Sequence, residues 1–193
     1  LIRENLTNIN VEDSGGTDFA KSIITTDTTL KEIAVEIENN GKKVRISGVA
    51  KGSGMIHPNM ATMLAFITTD AKAESSYLKK ILIDVVEKTF NQIDVDGDTS
   101  TNDSVIFLAN GESGENIDQS SPIHEEFLEA LQMVAKDLSM KIAIDAEGAQ
   151  HLITVNVNGA TNDFEARLIA REVVSSNLVK TAVYGRDPNW GRI

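Results

Sequence analysis

The 193-residue sequence contains no cysteine and carries little positive charge. The absence of cysteine excludes disulfides, zinc–thiolate sites and thiol nucleophiles, and it suits a reducing compartment without requiring one. Lysine and arginine number 18 against 29 aspartates and glutamates, which gives a net charge of −11 at pH 7. A negative chain without a basic run is not expected to bind nucleic acid or anionic membranes. No apolar run in this sequence is long enough to span a bilayer.

The 41% of residues that are apolar are enough to bury a core as one domain or a large part of one. Apolar residues recur at helical spacing from Tyr77 to Phe90 and from Pro122 to Met140, and a third helix is predicted from Asn162 or Asp163. Alternating runs on either side of Asn40-Gly41 predict a β-hairpin with a type I′ turn. Further strands are predicted at Met63–Thr69, Ser104–Ala109, Lys141–Asp145, Leu152–Val157 and Val179–Tyr184. Three helices among about seven strands predict a mixed α/β layered fold, with the strands sandwiched between helices.

The stretch Lys51-Gly-Ser-Gly-Met-Ile-His-Pro-Asn-Met-Ala-Thr-Met-Leu64 contains the candidate nucleophile. The Gly52-Ser53-Gly54 segment predicts a tight, close-approach backbone, and Pro58-Asn59 predicts a turn. Thr62 stands where this loop meets the predicted strand, and a rigid element at such a junction can present a reactive side chain.

A threonine hydroxyl needs a base to remove its proton, and the residue's own α-amino group can serve when it is free. That amine titrates near ~7.7–8.0, so it is partly neutral at physiological pH. Inside a chain, Thr62 gains a free amine only if the Ala61–Thr62 bond is cut. The route is attack of the Thr62 hydroxyl on the Ala61 carbonyl, followed by hydrolysis of the ester. From the spacing alone, a phosphate-contacting loop or a purely structural glycine loop is the alternative that the residues favour over catalysis.

Two other features of the sequence suggest sites that the residue pattern does not favour. The acidic run from Asp94 to Thr101 looks like a calcium loop, but Thr99 and Val105 occupy the positions where an EF-hand requires glycine and glutamate. We therefore predict no metal site. His57 is interpreted as a turn residue rather than a base.

Four stretches together resemble the ornithine acetyltransferases, also called glutamate N-acetyltransferases. The first is the Lys51–Leu64 stretch, which looks like the self-cleavage motif of that family. The others are Val95-Asp-Gly-Asp-Thr-Ser-Thr-Asn-Asp103, Glu147-Gly-Ala149 with Leu152-Ile-Thr-Val155, and Gly185-Arg-Asp-Pro-Asn-Trp-Gly-Arg192. The match runs in order from about Ala20 onward. It implies a layered αββα sandwich of the ornithine acetyltransferase or DmpA-like type, present here as a fragment.

The resemblance implies cleavage between Ala61 and Thr62. Residues 1–61 would then end the first (α) chain, and residues 62–193 would begin the second (β) chain, all within one incomplete acetyltransferase domain. Thr62 would take the acetyl group from N2-acetylornithine and pass it to glutamate in a ping-pong reaction of arginine biosynthesis. Besides the nucleophile Thr62, which itself binds substrate, the resemblance places substrate contacts at Thr25, with Thr26 as the neighbouring candidate, and at Lys51 and Glu147.

Some features of the sequence depart from the family pattern or lie outside it. The usual family pattern around the glutamate is Asp-Gly-Glu-Gly-Ala-Thr-Lys, so Ala146, Gln150 and His151 replace a glycine, a threonine and a lysine, which puts fine substrate preference in doubt. His151 is interpreted as a surface strand residue, with a position in the wall of the pocket as the alternative. The family's oxyanion donors are a threonine–glycine pair well upstream of the nucleophile, which this sequence does not include, so we expect residues 1–193 alone to be inactive.

The expected partners are the amino-acid substrates and the self-derived α and β chains, in a higher homo-oligomer of αβ units. No cofactor is expected, although some members of the family accept acetyl-CoA as the acetyl donor. The expected location is the cytoplasm, or the mitochondrial matrix in a eukaryote. Two alternatives remain open: an amidohydrolase or aminopeptidase of related fold, in which water replaces glutamate, and a non-catalytic acidic binding domain.

Overall fold

A computed structural model describes residues 15–39, 41–57, 63–100 and 102–193. Within these ranges the chain forms five α-helices and four β-strands. In chain order they are α1 (Gly15–Ile23), β1 (Lys31–Asn39), β2 (Lys42–Lys51), β3 (Leu64–Thr69), α2 (Ser75–Lys88), β4 (Ser104–Ala109), α3 (His124–Ile144), α4 (Asp163–Ser175) and α5 (Asn177–Tyr184). Short 3-10 turns occupy Phe90–Gln92 and Trp190–Arg192.

The four strands form one sheet in the order β1-β2-β3-β4. The first two pairings are antiparallel and the pairing of β3 with β4 is parallel. The predicted hairpin of β1 and β2 is confirmed, and Gly41 in its turn has a φ of +79°, a left-handed conformation that glycine adopts without strain. The register sets Lys51 opposite Leu64 and Leu64 opposite Ser104, so the end of β2 and the starts of β3 and β4 lie at the same edge of the sheet.

Helices α2 and α3 cover one face of the sheet and form the core with it. Alternate residues of β2 and β3 point into this core, as strand geometry requires: Val44, Ile46, Ala50, Ala65 and Ile67. From α3 the fully buried side chains recur at helical spacing: Phe127, Leu131, Val134, Leu138 and Ile142. Helix α1 lies on the opposite face, where the ring of Phe19 meets the ring of Phe66 edge-on at 4.9 Å. The predicted mixed α/β layered fold is confirmed.

Glycine at position 48 lets α3 approach β2 closely. A Cβ atom at Gly48 would lie 2.8 Å from Leu138 Cδ1 and 2.9 Å from Val134 Cγ1, which is closer than packed carbon atoms normally come. The absence of a side chain here therefore sets the distance between helix and sheet, and with it the position of the helix end that carries Asp145 toward the candidate site.

Two of the predicted strands are wrong because their residues are helical. Lys141–Asp145 was predicted as a strand, but α3 continues to Ile144, since Ile142 extends the buried stripe one turn beyond Leu138. Val179–Tyr184 was also predicted as a strand and lies in α5. Its buried residues, Val179 and Ala182, are three positions apart, as on one helical face, and the Ser176 side chain caps the helix by accepting from the Val179 N–H.

Leu152–Val157 was predicted as an alternating strand, and the structure gives it no regular secondary structure. Its side chains still alternate between exposed and partly buried, so the two-residue periodicity on which the strand prediction was based is present in the structure. None of the four described strands pairs with it. Because a strand needs a hydrogen-bonded neighbour, a period of two in the sequence was not sufficient. The described residues thus contain four strands rather than about seven.

Candidate active site

Lys51 and Thr25 are in contact, although 26 residues separate them in the chain. Lys51 ends β2 and is partly buried, while Thr25 lies in the loop between α1 and β1. The Lys51 Nζ donates to the Thr25 Oγ1 over 3.4 Å. Two of the three residues that the resemblance assigns to substrate binding therefore stand side by side, and they present an ammonium group and a hydroxyl at the edge of the sheet.

Asp27 fixes the loop of Thr25 against the glycine-rich turn. Its Oδ1 accepts from the Gly52 N–H at 2.7 Å, and its Oδ2 accepts from the Thr25 N–H at 3.3 Å. Burial raises the pKa of Asp27, but the hydrogen bonds from Gly52, Lys31 and Thr25 outweigh burial and lower it below the ordinary value of 3.8. The carboxylate is therefore ionised at neutral pH and holds both backbone segments.

The glycines of the predicted close-approach segment are needed for two different contacts. Gly52 has a φ of +152°, and a Cβ there would lie 3.3 Å from Ile56 Cδ1 and 3.4 Å from Met63 Cβ. Gly54 faces Glu147, the third residue that the resemblance assigns to substrate binding. A Cβ atom at Gly54 would lie 3.0 Å from Glu147 Oε2. The prediction from Gly52-Ser53-Gly54 is confirmed, and the close approach at Gly54 is to Glu147.

Glu147 reaches the site from the end of α3, and its backbone is docked on the glycine-rich turn. The Glu147 N–H donates to the Ser53 carbonyl oxygen at 2.7 Å. Ser53 is buried, and its hydroxyl is 2.6 Å from the hydroxyl of Thr26. The Glu147 carboxylate itself is exposed. The turn thus gathers Thr25, Lys51 and Glu147, while Thr26 serves as an internal contact.

The predicted nucleophile Thr62 and its neighbour Ala61 lie outside the described residues. The next residue, Met63, is fixed on both sides. Its N–H donates to Asp103 Oδ1 at 2.8 Å, and its carbonyl oxygen accepts from the Ser104 N–H at 3.2 Å. Since β2 and β3 pair Lys51 with Leu64, the chain leaves the undescribed segment beside Lys51.

Asp103 is a site residue that the sequence did not single out. Burial raises its pKa above the ordinary 3.8, against the opposing effects of the Met63 N–H and the Lys51 charge. This carboxyl group adjoins the peptide that follows Thr62. Asp103 ends one of the stretches that carry the family resemblance, but no role was predicted for it, because only the fold shows that it contacts Met63.

Two other carboxylates, those of Asp94 and Asp96, hold the segment before Pro58. Asp96 accepts from the Met55 N–H at 2.6 Å and from the Ile56 N–H at 3.1 Å. Met55 has a φ of +56°, an uncommon conformation for a side chain other than glycine, and this contact holds it. The structure therefore gives Asp96 a backbone-anchoring contact in this acidic run.

His57 is held in place by a contact with Asp94. Its Nδ1 lies 2.6 Å from Asp94 Oδ2, and the fully buried Asp94 side chain also pairs with Lys180 from α5. This contact connects the C-terminal helices to the segment that leads to Thr62. Across residues 15–39, 41–57, 63–100 and 102–193, no group of three or more histidine, aspartate or glutamate side chains is placed to hold a metal ion.

A cavity of about 840 Å³ lies between α3, α4, α5 and residues 146–158. It borders Glu147 and the exposed His151, but neither Thr25 nor Lys51 lines it. His151 was predicted on a surface strand; it is exposed, but it lies in the irregular segment. The contacts around Gly52–Gly54, rather than this cavity, define the candidate site.

The fold and the site describe a mixed α/β protein in which a glycine-rich turn joins a lysine, a hydroxyl and a carboxylate beside the start of a strand. The model of the ArgJ family matches residues 1–193. The chain belongs to the ArgJ family. No helix in the described part of the chain is long and apolar enough to cross a membrane.

Relatives of known identity agree with that assignment. The arginine biosynthesis bifunctional protein ArgJ of Lactococcus lactis is 57% identical over 176 residues, which cover 91% of this chain and 44% of the relative. The protein of the same name from Bacillus anthracis is 56% identical over 183 residues, covering 94% and 45%. The chain thus spans less than half the length of these relatives. The crystal structure of Bacillus halodurans ArgJ matches with a TM-score of 0.64 and 48% identity over 66% of this chain and 60% of that one.

Proposed function

We propose that the protein containing this chain is an N-acetyltransferase of arginine biosynthesis. It moves the acetyl group from N2-acetylornithine to glutamate through an acetyl-threonine intermediate on Thr62. The observation that carries the proposal is the arrangement of Thr25, Lys51 and Glu147 around the turn that leads to Thr62. The ArgJ proteins that it resembles are named as bifunctional proteins of arginine biosynthesis.

The first chemical step is cleavage of the Ala61–Thr62 bond. The Thr62 hydroxyl oxygen attacks the Ala61 carbonyl carbon, the C–N bond breaks, and the hydroxyl proton passes to the leaving nitrogen, which becomes a free amine. The Ala61 acyl group is left as an ester on the threonine oxygen. Water then hydrolyses the ester, which yields the Ala61 carboxylate and a second chain that begins with Thr62. The hydrogen bond from the Met63 N–H to Asp103 supports this step, because it fixes the residue that follows the reacting one.

Acetyl transfer then follows with the new amine as proton carrier. The amine takes the Thr62 hydroxyl proton as the oxygen attacks the acetyl carbon of acetylornithine. It gives that proton to the nitrogen of ornithine as the C–N bond breaks. In the second half, the glutamate amine attacks the acetyl ester, its proton passes to the Thr62 amine, and the threonine oxygen leaves and recovers a proton.

The binding contacts follow from charge. Both substrates carry a carboxylate, and the Lys51 ammonium beside the Thr25 hydroxyl suits it as a point charge with a neighbouring hydrogen-bond partner. The exposed Glu147 carboxylate suits an ammonium group, which ornithine and glutamate both carry.

The test is release of ornithine from N2-acetylornithine by the full-length gene product, with and without glutamate. Transfer predicts that glutamate stimulates release and that N-acetylglutamate forms in equal amount. Release without glutamate, at the same rate, would indicate a hydrolase instead. Replacing acetylornithine with acetyl-CoA in the same assay determines whether a second donor is used. The Thr62→Ala variant is the control, and unchanged transfer in it would contradict the proposal.

A further inference from the structure

Lys31 is a buried lysine that the proposed reaction does not use. It begins β1, and its side chain is 0% exposed. The Nζ donates to Asp27 Oδ1 at 2.7 Å and to Asp145 Oδ2 at 2.6 Å, and both of those side chains are also buried. A third contact goes to the Thr29 carbonyl oxygen at 3.4 Å. Lysine is rarely buried unless it is paired, and here it is paired with two carboxylates. We call Lys31, Asp27 and Asp145 the ion cluster.

The second carboxylate of the ion cluster is satisfied by the loop that precedes β1. Asp145 accepts from the Thr28 N–H at 3.0 Å, from the Thr29 N–H at 3.3 Å and from the Thr28 hydroxyl. Burial raises the pKa of Asp145, but Lys31 and the Thr28 and Thr29 donors outweigh it and bring the pKa to about 2. One lysine therefore holds two ionised carboxylates, and backbone N–H groups balance the remaining charge.

Asp27 connects the ion cluster to two of the segments that carry the proposed substrate contacts. Asp27 accepts from the Thr25 N–H and from the N–H of Gly52, the residue that follows Lys51. A shift of the Asp27 carboxylate would therefore move the Thr25 hydroxyl and the Lys51 ammonium relative to each other.

Asp145 connects the ion cluster to the third segment, which carries Glu147. It is the first residue after the end of α3. Asp145 lies two positions before Glu147, whose N–H is docked on Ser53. Lys31 thus joins the loop of Thr25, the turn after Lys51 and the approach to Glu147 at one point, although Asp145 is 114 residues away from it in the chain.

Stability alone is a weak explanation for such a cluster. Desolvation of buried ions offsets much of their attraction, so apolar replacements of similar volume are often neutral or stabilising. A fully satisfied polar network instead specifies one arrangement of the segments it joins. We propose that Lys31 is a positioning residue for substrate binding, which sets Thr25, Lys51 and Glu147 at the spacing that an amino-acid substrate requires. This inference rests on the proposed function, since it takes those three residues as substrate contacts.

The test uses the full-length gene product and the variants Lys31→Met and Asp145→Asn. Both side chains are replaced at nearly constant volume, and each variant breaks the ion cluster at a different point. We expect the KM for acetylornithine and for glutamate to rise roughly tenfold, with kcat per folded molecule changed less than about threefold, because binding geometry is lost while Thr62 is untouched.

Leu131→Ala is the matched control. Leu131 is fully buried in α3 and is not part of the site, so it lowers Tm without touching the ion cluster. Each variant is assayed at a temperature where it is at least nine-tenths folded by circular dichroism. A KM that rises in Lys31→Met and Asp145→Asn but not in Leu131→Ala supports the inference. If the lysine variant does not fold, the comparison of Asp145→Asn with Leu131→Ala decides in the same way.

Two negative results are distinguishable. If the unmutated protein transfers acetyl groups and the KM of Asp145→Asn equals that of Leu131→Ala, Lys31 has a structural role only, and the inference is overturned while the proposed function stands. If the unmutated protein transfers no acetyl group, the proposed function has failed and the inference falls with it.

Discussion

Helices α3 and α4 have similar apolar patterns in the sequence and very different environments in the structure. Eight residues of α3 are buried, whereas α4 has none, and Phe164 at its start is 65% exposed. The difference arises because α3 packs on β1 and β2, while none of the described strands lies against α4. An amphipathic pattern therefore predicts that a helix forms, but the neighbouring elements determine whether its apolar side is buried. The candidate site is built on the well-packed region, at the end of α3.

The largest expected effect is a difference in unfolding free energy between a substitution in α3 and one in α4. Leu131→Ala in α3 should lower the free energy of unfolding by roughly 2–5 kcal/mol, since it opens a cavity in a packed core. Phe164→Ala in α4 should change it by less than about 0.5 kcal/mol, as exposed substitutions do. Urea unfolding of the full-length gene product measures both. An equal loss in the two variants would show that α4 is covered in that protein, and the contrast would be wrong.

The close approach of α3 to β2 should be sensitive to a single methyl group. Gly48→Ala places a carbon within 2.9 Å of side chains on α3, so we expect a loss of about 1–3 kcal/mol in unfolding free energy. Gly16→Ala is the control, because nothing lies within 4 Å of its Cβ position. Should Gly48→Ala unfold at the same urea concentration as Gly16→Ala, the helix is not held against the sheet as described.

The packed region should also carry an acid-sensitive contribution. Asp145 has a pKa of about 2 when folded against an ordinary 3.8, so its contribution to stability is present above about pH 4 and lost as the pH falls toward 2. The shift corresponds to about 2 kcal/mol, and the lowered pKa of Asp27 acts in the same direction. Unfolding free energies of the unmutated protein and of Asp145→Asn, measured from pH 5 to pH 2, check this. The variant should decline by less than the unmutated protein, because it keeps the contribution of Asp27 and lacks that of Asp145. A parallel decline in both would contradict the assignment.

The smallest effect belongs to the cap of α4. The Asn162 side chain accepts from the Glu165 N–H at 2.9 Å, and Asn162→Ala should weaken the helix by about 1 kcal/mol. Because α4 buries no side chain, the loss should appear as faster amide hydrogen exchange within residues 163–175 and leave the global unfolding free energy nearly unchanged. A global loss of the same size would indicate that α4 unfolds together with the core.

The same contrast explains how much of the fold could be predicted. The hairpin around Gly41 and the helix at Ser75–Lys88 were predictable because local periodicity and turn chemistry agree there. The strand predictions for Lys141–Asp145 and Val179–Tyr184 were wrong, because short apolar runs fit both the strand period of two residues and the helical period of 3.6. Both stretches are helical in the structure, where Ile142 and Val179 are buried on the packed sides of their helices. Leu152–Val157 kept its alternation but has no partner strand among the described residues.

The candidate site was predictable where residues adjoin a motif, and not where distant residues meet. Thr25, Lys51 and Glu147 were assigned through the resemblance, and the contacts around Ser53 bring them together. Asp103 was missed as a contact of Met63. Lys31 was also missed, since a lysine that opens an alternating strand normally points to solvent, and its partner Asp145 was predicted in a strand rather than at a helix end. Only the packing of α3 on the sheet shows that they meet.

The central claim is that Thr62 acts as an amino-terminal nucleophile beside the packed site. The most direct measurement is the intact mass of the full-length gene product under denaturing conditions, beside that of its Thr62→Ala variant. We expect two chains divided between Ala61 and Thr62 in the unmutated protein and a single chain in the variant. A single uncut chain in both samples would contradict the central claim, because Thr62 would then have no free amine to serve as the base.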